Sequence, residues 1–333
     1  MNYTSEEIIT QSRISITNLL QEIGPEEVIE EIVSGLQAQQ KTISSKYFYN
    51  REGSLLFEEI TRLDVYYPTR TEKNILKQIS PGLMEQYGSY EIIELGPGDH
   101  SKIAILLHAA TGMNLPSMRY LPLDISQPAL RNSAEELVSA FPNLHIEGYA
   151  VDFISQFESV QREQPALICF FGGTIGNFEW DDALELLRNI SGQMKAGDVL
   201  LLGMDMIKSK PVLHAAYNDA RGITAAFNKN ILNSVNDLIE SDFQQASFDH
   251  IAFYNESMSR IEMHLVANLD ICVHSPYFKE DLFLKKGDFI HTENSHKYNT
   301  GHIQEIVEYT GLKLIKAHTD DQGWFSISEF HKI

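Results

Sequence analysis

Positive charge is what this sequence most lacks. Among 333 residues, 26 are Lys or Arg against 46 Asp or Glu, so the formal charge is -20 and the pI about 4.9. A surface of that sign repels polyanions, which argues against nucleic acid or anionic membrane as a partner. Cysteine is nearly absent as well. Cys169 and Cys272 lie far apart without the spacing of a metal site, and they read as reduced thiols of a cytoplasmic, metal-free protein. No stretch approaches the ~20 apolar residues needed to cross a bilayer. The first thirty residues carry Glu6, Glu7, Glu22, Glu26, Glu27 and Glu30, not the basic-then-apolar order of a secretory signal. Repeats and low-complexity tracts are missing too. The remainder, 43% hydrophobic and 22% charged, has the composition of a globular chain long enough for two domains or one elaborated domain.

Residues 4–38 read as two amphipathic helices around "IGPEE", broken at Gly24-Pro25, with Pro25 suited to a first helical turn. In "SLLFEEITRL" (54–63) the apolar positions recur at helical spacing, and Pro68 ends that pattern. From 91 to 206 the texture changes. Short apolar runs at 91–95, 119–124, 144–152, 165–173 and 198–205 alternate with helical candidates near 101–112, 126–140 and 180–195. Strands that are apolar on both faces and separated by helices imply a doubly wound α/β sheet. Residues 211–240 look helical, and "RIEMHLV" within 250–272 alternates like an antiparallel strand. The segment 297–333 reads as helix, strand, turn at Asp320–Gly323, and strand, finishing the sheet. The expected division is residues 1–71 with 207–296, and 72–206 with 297–333.

"IIELGPGDHSK" places Gly96 and Gly98 between an apolar strand and a helix, where glycine permits a tight turn and close approach of a ligand. The third glycine of a dinucleotide fingerprint would fall at Ser101, which disfavours NAD. S-adenosylmethionine, a cation without phosphates, suits the surrounding acids better. Glu94 leads into the turn, Asp124 ends the second strand where a carboxylate can accept ribose hydroxyls, and Asp152-Phe153 follows the third, where a polar group and a ring can hold adenine. Taken singly, each aspartate is more readily a helix cap, and it is the set at successive strand ends that points to the cofactor.

The segments "KYFYNREGSLLFEEITRLDVYYPTRTE", "ELGPGDHSK", "FFGGTIGNF", "AYNDARGITAAFNKNIL", "RIEMHL" and "TENSHKY" together resemble the L-histidine Nα-methyltransferases of ergothioneine biosynthesis, over nearly the whole chain from about residue 40. The wider group includes relatives acting on tryptophan derivatives. The resemblance implies a Rossmann-like S-adenosylmethionine-binding methyltransferase domain, here 72–206 with 297–333, and a family-specific α+β substrate-binding domain formed by 1–71 and 207–296. It also implies a small amino-acid substrate and three methyl transfers to the α-amine of histidine, giving hercynine and S-adenosylhomocysteine. A monomer is expected.

By motif, the resemblance makes Tyr66 and Tyr217 the phenols that hold the substrate carboxylate. Asn177 positions the amine, and Tyr49 reaches it directly or through water. Phe57 packs beside the substrate, Glu293 and Ser295 bind imidazole, and Met263 and Thr224 line the ring pocket. Glu94, Gly96, Gly98, Lys102, Asp124, Asp152 and Phe153 hold the methyl donor. Methyl transfer consumes an amine lone pair in an in-line displacement, so alignment and desolvation matter more than a strong base, and the proton can leave to water or a weak acceptor near Tyr49 and Asn177. Within "YYPTRTE", Tyr66 is the anchor, Tyr67 is packing and Pro68 stiffens the crossing between domains. The "GG" of "FFGGTIGNF", the "GMD" at 203–205 and residues 1–35 depart from the family pattern. Two alternatives are a same-fold enzyme acting on tryptophan or another amino acid, and a cofactor-binding sensor without turnover.

Overall fold

A computed structural model describes residues 9–11, 13–20, 24–98, 100–113 and 118–333. Its main sheet has nine strands. In spatial order they are Ile9–Gln11, Ile14–Asn18, Leu144–Ala150, Met118–Asp124, Glu91–Leu95, Ala166–Phe170, Val199–Asp205, Phe325–His331 and Lys313–Thr319. The strands from Ile14–Asn18 to Val199–Asp205 run parallel, and Phe325–His331 pairs antiparallel on both sides. This is the Rossmann-like α/β architecture, with the order reversing at Glu91–Leu95.

Alternation along the strands feeds two separate cores. Ile92, Tyr120, Ile146, Leu167 and Leu201 pack against helices Tyr67–Tyr87, Ile103–Gly112 and Gln127–Ala140. Their neighbours Ile93, Leu121, Ile168 and Leu200 pack on the opposite face against helices Trp180–Gln193 and Thr300–Thr310. Burial on both faces is why these strands read as continuous apolar runs.

A second assembly has its own core. Strands Lys41–Thr42, Phe289–His296, Arg260–Ala267 and Phe248–Asn255 form a four-stranded sheet in that order. Helices Pro25–Gln37, Arg51–Thr61, Lys210–Tyr217 and Ile223–Ile239 cover it through Leu36, Ile60, Leu213, Phe227 and Ile231. Among the described residues, no helix is long and apolar enough to cross a membrane.

Three expectations change. The first of the two N-terminal helices is replaced by strands Ile9–Gln11 and Ile14–Asn18, the latter pairing with Leu144–Ala150 and burying Ile14 and Ile16. These strands extend the nine-stranded sheet, although residues 1–71 as a whole read with the insertion. Residues 4–8, 12 and 21–23 of the expected helices lie outside the described residues. The helix expected over 211–240 is two helices, interrupted near Gly222 at φ 72, which suits a residue without Cβ. Pro68 lies in the first turn of Tyr67–Tyr87, so it begins a helix as well as ending the preceding pattern.

Candidate active site

Every loop proposed for the methyl donor leaves a parallel strand at its carboxyl end, the place where open α/β sheets bind ligands. Gly96 and Gly98 adopt left-handed φ of 59 and 58 just after Glu91–Leu95. A Cβ at Gly98 would meet nothing within 4 Å, and one at Gly96 would come 3.6 Å from the Phe153 ring, so the turn is an open backbone cradle beside an aromatic face. Asp124 closes its strand. Burial raises its carboxyl pKa, opposed by the N–H groups of Ser126, Ile125 and Gly98, which tie the acid to the glycine turn. Asp152 caps the short helix Phe153–Gln156 by accepting from Ile154 N–H at 3.1 Å. Glu94 is buried and accepts from Tyr120 Oη at 2.5 Å. Lys102 sits 3.4 Å from Glu72, an acid 1% exposed that also accepts from the Gly172 N–H. Asp99, within the glycine motif, lies outside the described residues. Open turn, acids and ring fit an adenosine-bearing cation.

The nine residues expected around the substrate lie together. Tyr49, Phe57, Tyr66, Asn177, Tyr217, Thr224, Met263, Glu293 and Ser295 all line one pocket of ≈ 640 Å³ including its mouth, with Gly172, Gly173, Thr174 and Asp205 closing the side toward the large sheet. All but Glu293 and Ser295, which share the strand Phe289–His296, are delivered by different local features. Tyr66 is the N-cap residue of Tyr67–Tyr87, and Tyr217 ends Lys210–Tyr217. Asn177 ends the turn Thr174–Asn177, which starts after left-handed Gly173. Gly176 brings that turn against the other sheet, since a Cβ there would stand 2.9 Å from the His296 carbonyl. Thr224 is fixed near the start of its helix by its N–H donating to Asp219 at 2.8 Å.

Met263 and Glu293 face each other across paired strands, but His264 pairs with His291, leaving Thr292 as an extra residue. This β-bulge turns Glu293 and Ser295 to the face that Met263 occupies. The Thr292 hydroxyl secures it, lying 2.6 Å from Asn228 Oδ1 and 3.0 Å from the Met263 carbonyl.

The electrostatics of the pocket are uneven. Burial pushes the Glu293 carboxyl up to about 7, against the pull of Lys297. Burial also raises Tyr66 and Tyr217 well above the ordinary phenol value, with Tyr217 and Glu293 adding for Tyr66, and Asp205 and Glu293 for Tyr217. Both therefore remain neutral donors. Tyr49 exposes 48% of its surface at the pocket mouth, yet its phenol is raised by desolvation and then by Glu293 and Tyr217.

Four residues outside the expected set complete the wall. Tyr67 donates to Asp205 at 2.7 Å, so it is a hydrogen-bonding member of the site as well as packing. Asp205 also pairs with Lys208 and with Lys297, the latter at 2.9 Å. Burial opposes ionisation of Asp205, but the two ammonium groups outweigh it and hold the acid below its usual range. The one available sequence signal was Asp205 at the carboxyl end of "GMD". Lys297 in "SHKY" offered none.

On the outer face of the four-stranded sheet, Glu262, His264 and His291 bring ligand-type atoms within 4.8 Å of one another. The two imidazoles are stacked 8° from parallel, so their in-plane lone pairs do not converge, and Glu262 is engaged by Arg260 and Asn255. The group is an internally hydrogen-bonded cluster.

Comparison with known proteins agrees with this geometry. A family described as "Histidine-specific methyltransferase, SAM-dependent" matches residues 28–332. The chain is 33% identical over 316 residues to a histidine N-alpha-methyltransferase of Mycolicibacterium smegmatis, covering 95% of this chain and 98% of that one. The corresponding protein of Mycobacterium tuberculosis is 33% identical over 317 residues, with the same coverage of 95% and 98%. A 4-dimethylallyltryptophan N-methyltransferase of Claviceps purpurea is 26% identical over 307 residues, covering 85% and 88%. A family match of that extent, laid over a glycine turn and a polar pocket at the same sheet edge, means that the chain belongs to the histidine-specific, S-adenosylmethionine-dependent methyltransferases.

Proposed function

We propose that the enzyme transfers three methyl groups in succession to the α-amine of L-histidine, giving hercynine. The supporting observation is that one pocket joins neutral phenol donors, an amide and the buried carboxyl of Glu293, and that its lining residue Gly172 lies beside Lys102, in the segment that follows the glycine turn. In this reading, residues 207–296 with those from about 24 to 71 form the substrate-binding domain.

S-adenosylmethionine, held by Glu94, Gly96, Gly98, Lys102, Asp124, Asp152 and Phe153, supplies an electrophilic methyl group. Tyr66 and Tyr217 donate to the substrate carboxylate as neutral phenols. Glu293 and Ser295 take the imidazole, Glu293 accepting from a ring N–H, while Met263, Thr224 and Phe57 set the width of the recess. Asn177 and Tyr49 orient the amine so that its lone pair faces the donor, and alignment in a partly dehydrated pocket contributes most of the acceleration. A neutral amine is already nucleophilic, and Tyr49 at the open mouth can pass the released proton to water.

The test is to incubate the protein with S-adenosylmethionine and each of the twenty amino acids and to read product masses. Histidine gaining three methyl groups is expected. Gain on tryptophan or another amino acid alone would overturn the substrate assignment, and donor binding without any product would indicate a sensor.

A further inference from the structure

Lys297 does not line the pocket, and none of the side-chain surface is exposed, yet it is the structural centre of the polar wall. An ammonium has three N–H donors and no acceptor. Here one goes to Asp205 Oδ2 at 2.9 Å, one to Tyr217 Oη at 3.0 Å and one to Ser295 Oγ at 2.7 Å. Both hydroxyl oxygens are thus used as acceptors from behind. Tyr217 and Ser295 lie 2.8 Å apart, so one of their two protons joins them and the other is left to point forward. A ligand atom that meets this pair from the pocket meets one donor, the Ser295 proton where Tyr217 donates to Ser295.

The charge count points the same way. The wall buries two ammonium groups, Lys208 and Lys297, around a single carboxylate, Asp205. The phenols of Tyr66, Tyr67 and Tyr217 are neutral. At ion-pair distance the two ammonium groups therefore share one carboxylate, while Asp320 acts on Lys208 and Glu293 on Lys297 only from farther off. A buried charge without a counter-charge is costly, and an anionic ligand is what relieves it. Glu293 is the other acid facing the pocket, but its ionisation is itself opposed by burial.

We infer that Lys297 is a positioning residue: by occupying the acceptor sites of Tyr217 and Ser295 it makes that pair present a donor to the pocket, and it supplies a positive charge that selects a substrate carboxylate. This rests on the reading of Tyr66 and Tyr217 as carboxylate anchors. Lys297 acts through these hydroxyls without touching the substrate, which is why no motif reading isolates it.

The test compares L-histidine with L-histidinamide, the same ring and amine with a neutral carboxamide. Binding of each is measured by calorimetry in the presence of S-adenosylhomocysteine. Lys297→Met is suited to this because it leaves Asp205 and Lys208 as a neutral buried pair. Wild type should prefer histidine by at least tenfold, and Lys297→Met should reduce that preference to within about threefold, with S-adenosylhomocysteine binding and melting temperature little changed. Lys297→Gln, which keeps donors but loses the charge, should fall between them. Retention of the wild-type preference overturns the inference, as does equal loss of both ligands in Lys297→Met and Lys297→Gln, which would mark a merely structural lysine. Tyr66→Phe separates the two levels. If it weakens histidine and histidinamide equally, the anchor reading itself fails. If it discriminates between them while Lys297→Met does not, only the role of Lys297 fails.

Discussion

Glu293→Gln should stabilise the ligand-free protein at alkaline pH while damaging its use of histidine. The carboxyl titrates near 4.5 when unfolded and at about 7 in the pocket, because burial disfavours its charge more than Lys297 favours it. At about 1.4 kcal/mol per tenfold change in proton affinity, holding that carboxylate ionised costs on the order of 3 kcal/mol. The folded chain binds the proton more tightly than the unfolded one. The stabilising contribution is therefore complete below pH 4.5 and is lost as pH rises through about 7. Glutamine keeps the shape without the titration. Its advantage should be below about 1 kcal/mol at pH 5 and reach about 3 kcal/mol at pH 8.5. With an unfolding entropy of roughly 2 cal/mol/K per residue, a chain of 333 residues converts this into a rise in Tm of about 4 °C. Circular-dichroism melts of both proteins from pH 5 to 8.5, without ligand, give the difference directly and cancel the titration of every other group. A difference that stays flat with pH, or a glutamine variant that is the less stable at pH 8.5, would refute the reasoning. The same variant should raise the KM for histidine tenfold or more, since a charged partner for the imidazole ring has gone.

Two further outcomes follow from the geometry. Tyr66→Phe removes one neutral donor to the carboxylate and should raise the KM for histidine by roughly five- to tenfold, about 1 kcal/mol, with the affinity for S-adenosylhomocysteine unchanged in a titration. Gly98→Ala meets no steric neighbour, so its cost is the left-handed backbone at φ 58, about 1–2 kcal/mol; the expected result is weaker donor binding by calorimetry with histidine affinity in the preformed complex retained.

The alternating apolar runs and intervening helices made the large sheet readable, because burial on both faces leaves a continuous hydrophobic signature. The N-terminal edge was harder. In "ISITN" the buried Ile14 and Ile16 alternate at strand period, but five residues beside longer helical patterns carry little weight until Leu144–Ala150 is there to pair with them. The nine pocket residues were legible through their motifs. The wall behind them was not. A lysine between histidine and tyrosine reads as solvated, and only the approach of Asp205 from 92 positions away makes burial of Lys297 tolerable. Tyr67 packs in the core as expected, but its hydrogen bond was missed for the same reason, since its phenol meets Asp205 only once the two sheets are brought together.

The extra residue at Thr292 gives the recess a dependence on counting. Side chains along a strand alternate between faces, so parity decides which way each one points. Ile290 faces inward beside Leu265, and without the interruption Glu293, Ser295 and Lys297 would all have the wrong parity. A single irregular step thus inverts three side chains at once and brings an acid, a hydroxyl and an ammonium to the ligand side. The chemistry of this wall is set by where the chain skips a beat as much as by which residues it contains, and pairing the strand regularly with Thr292 retained would turn the whole set to solvent while leaving every functional residue in the sequence.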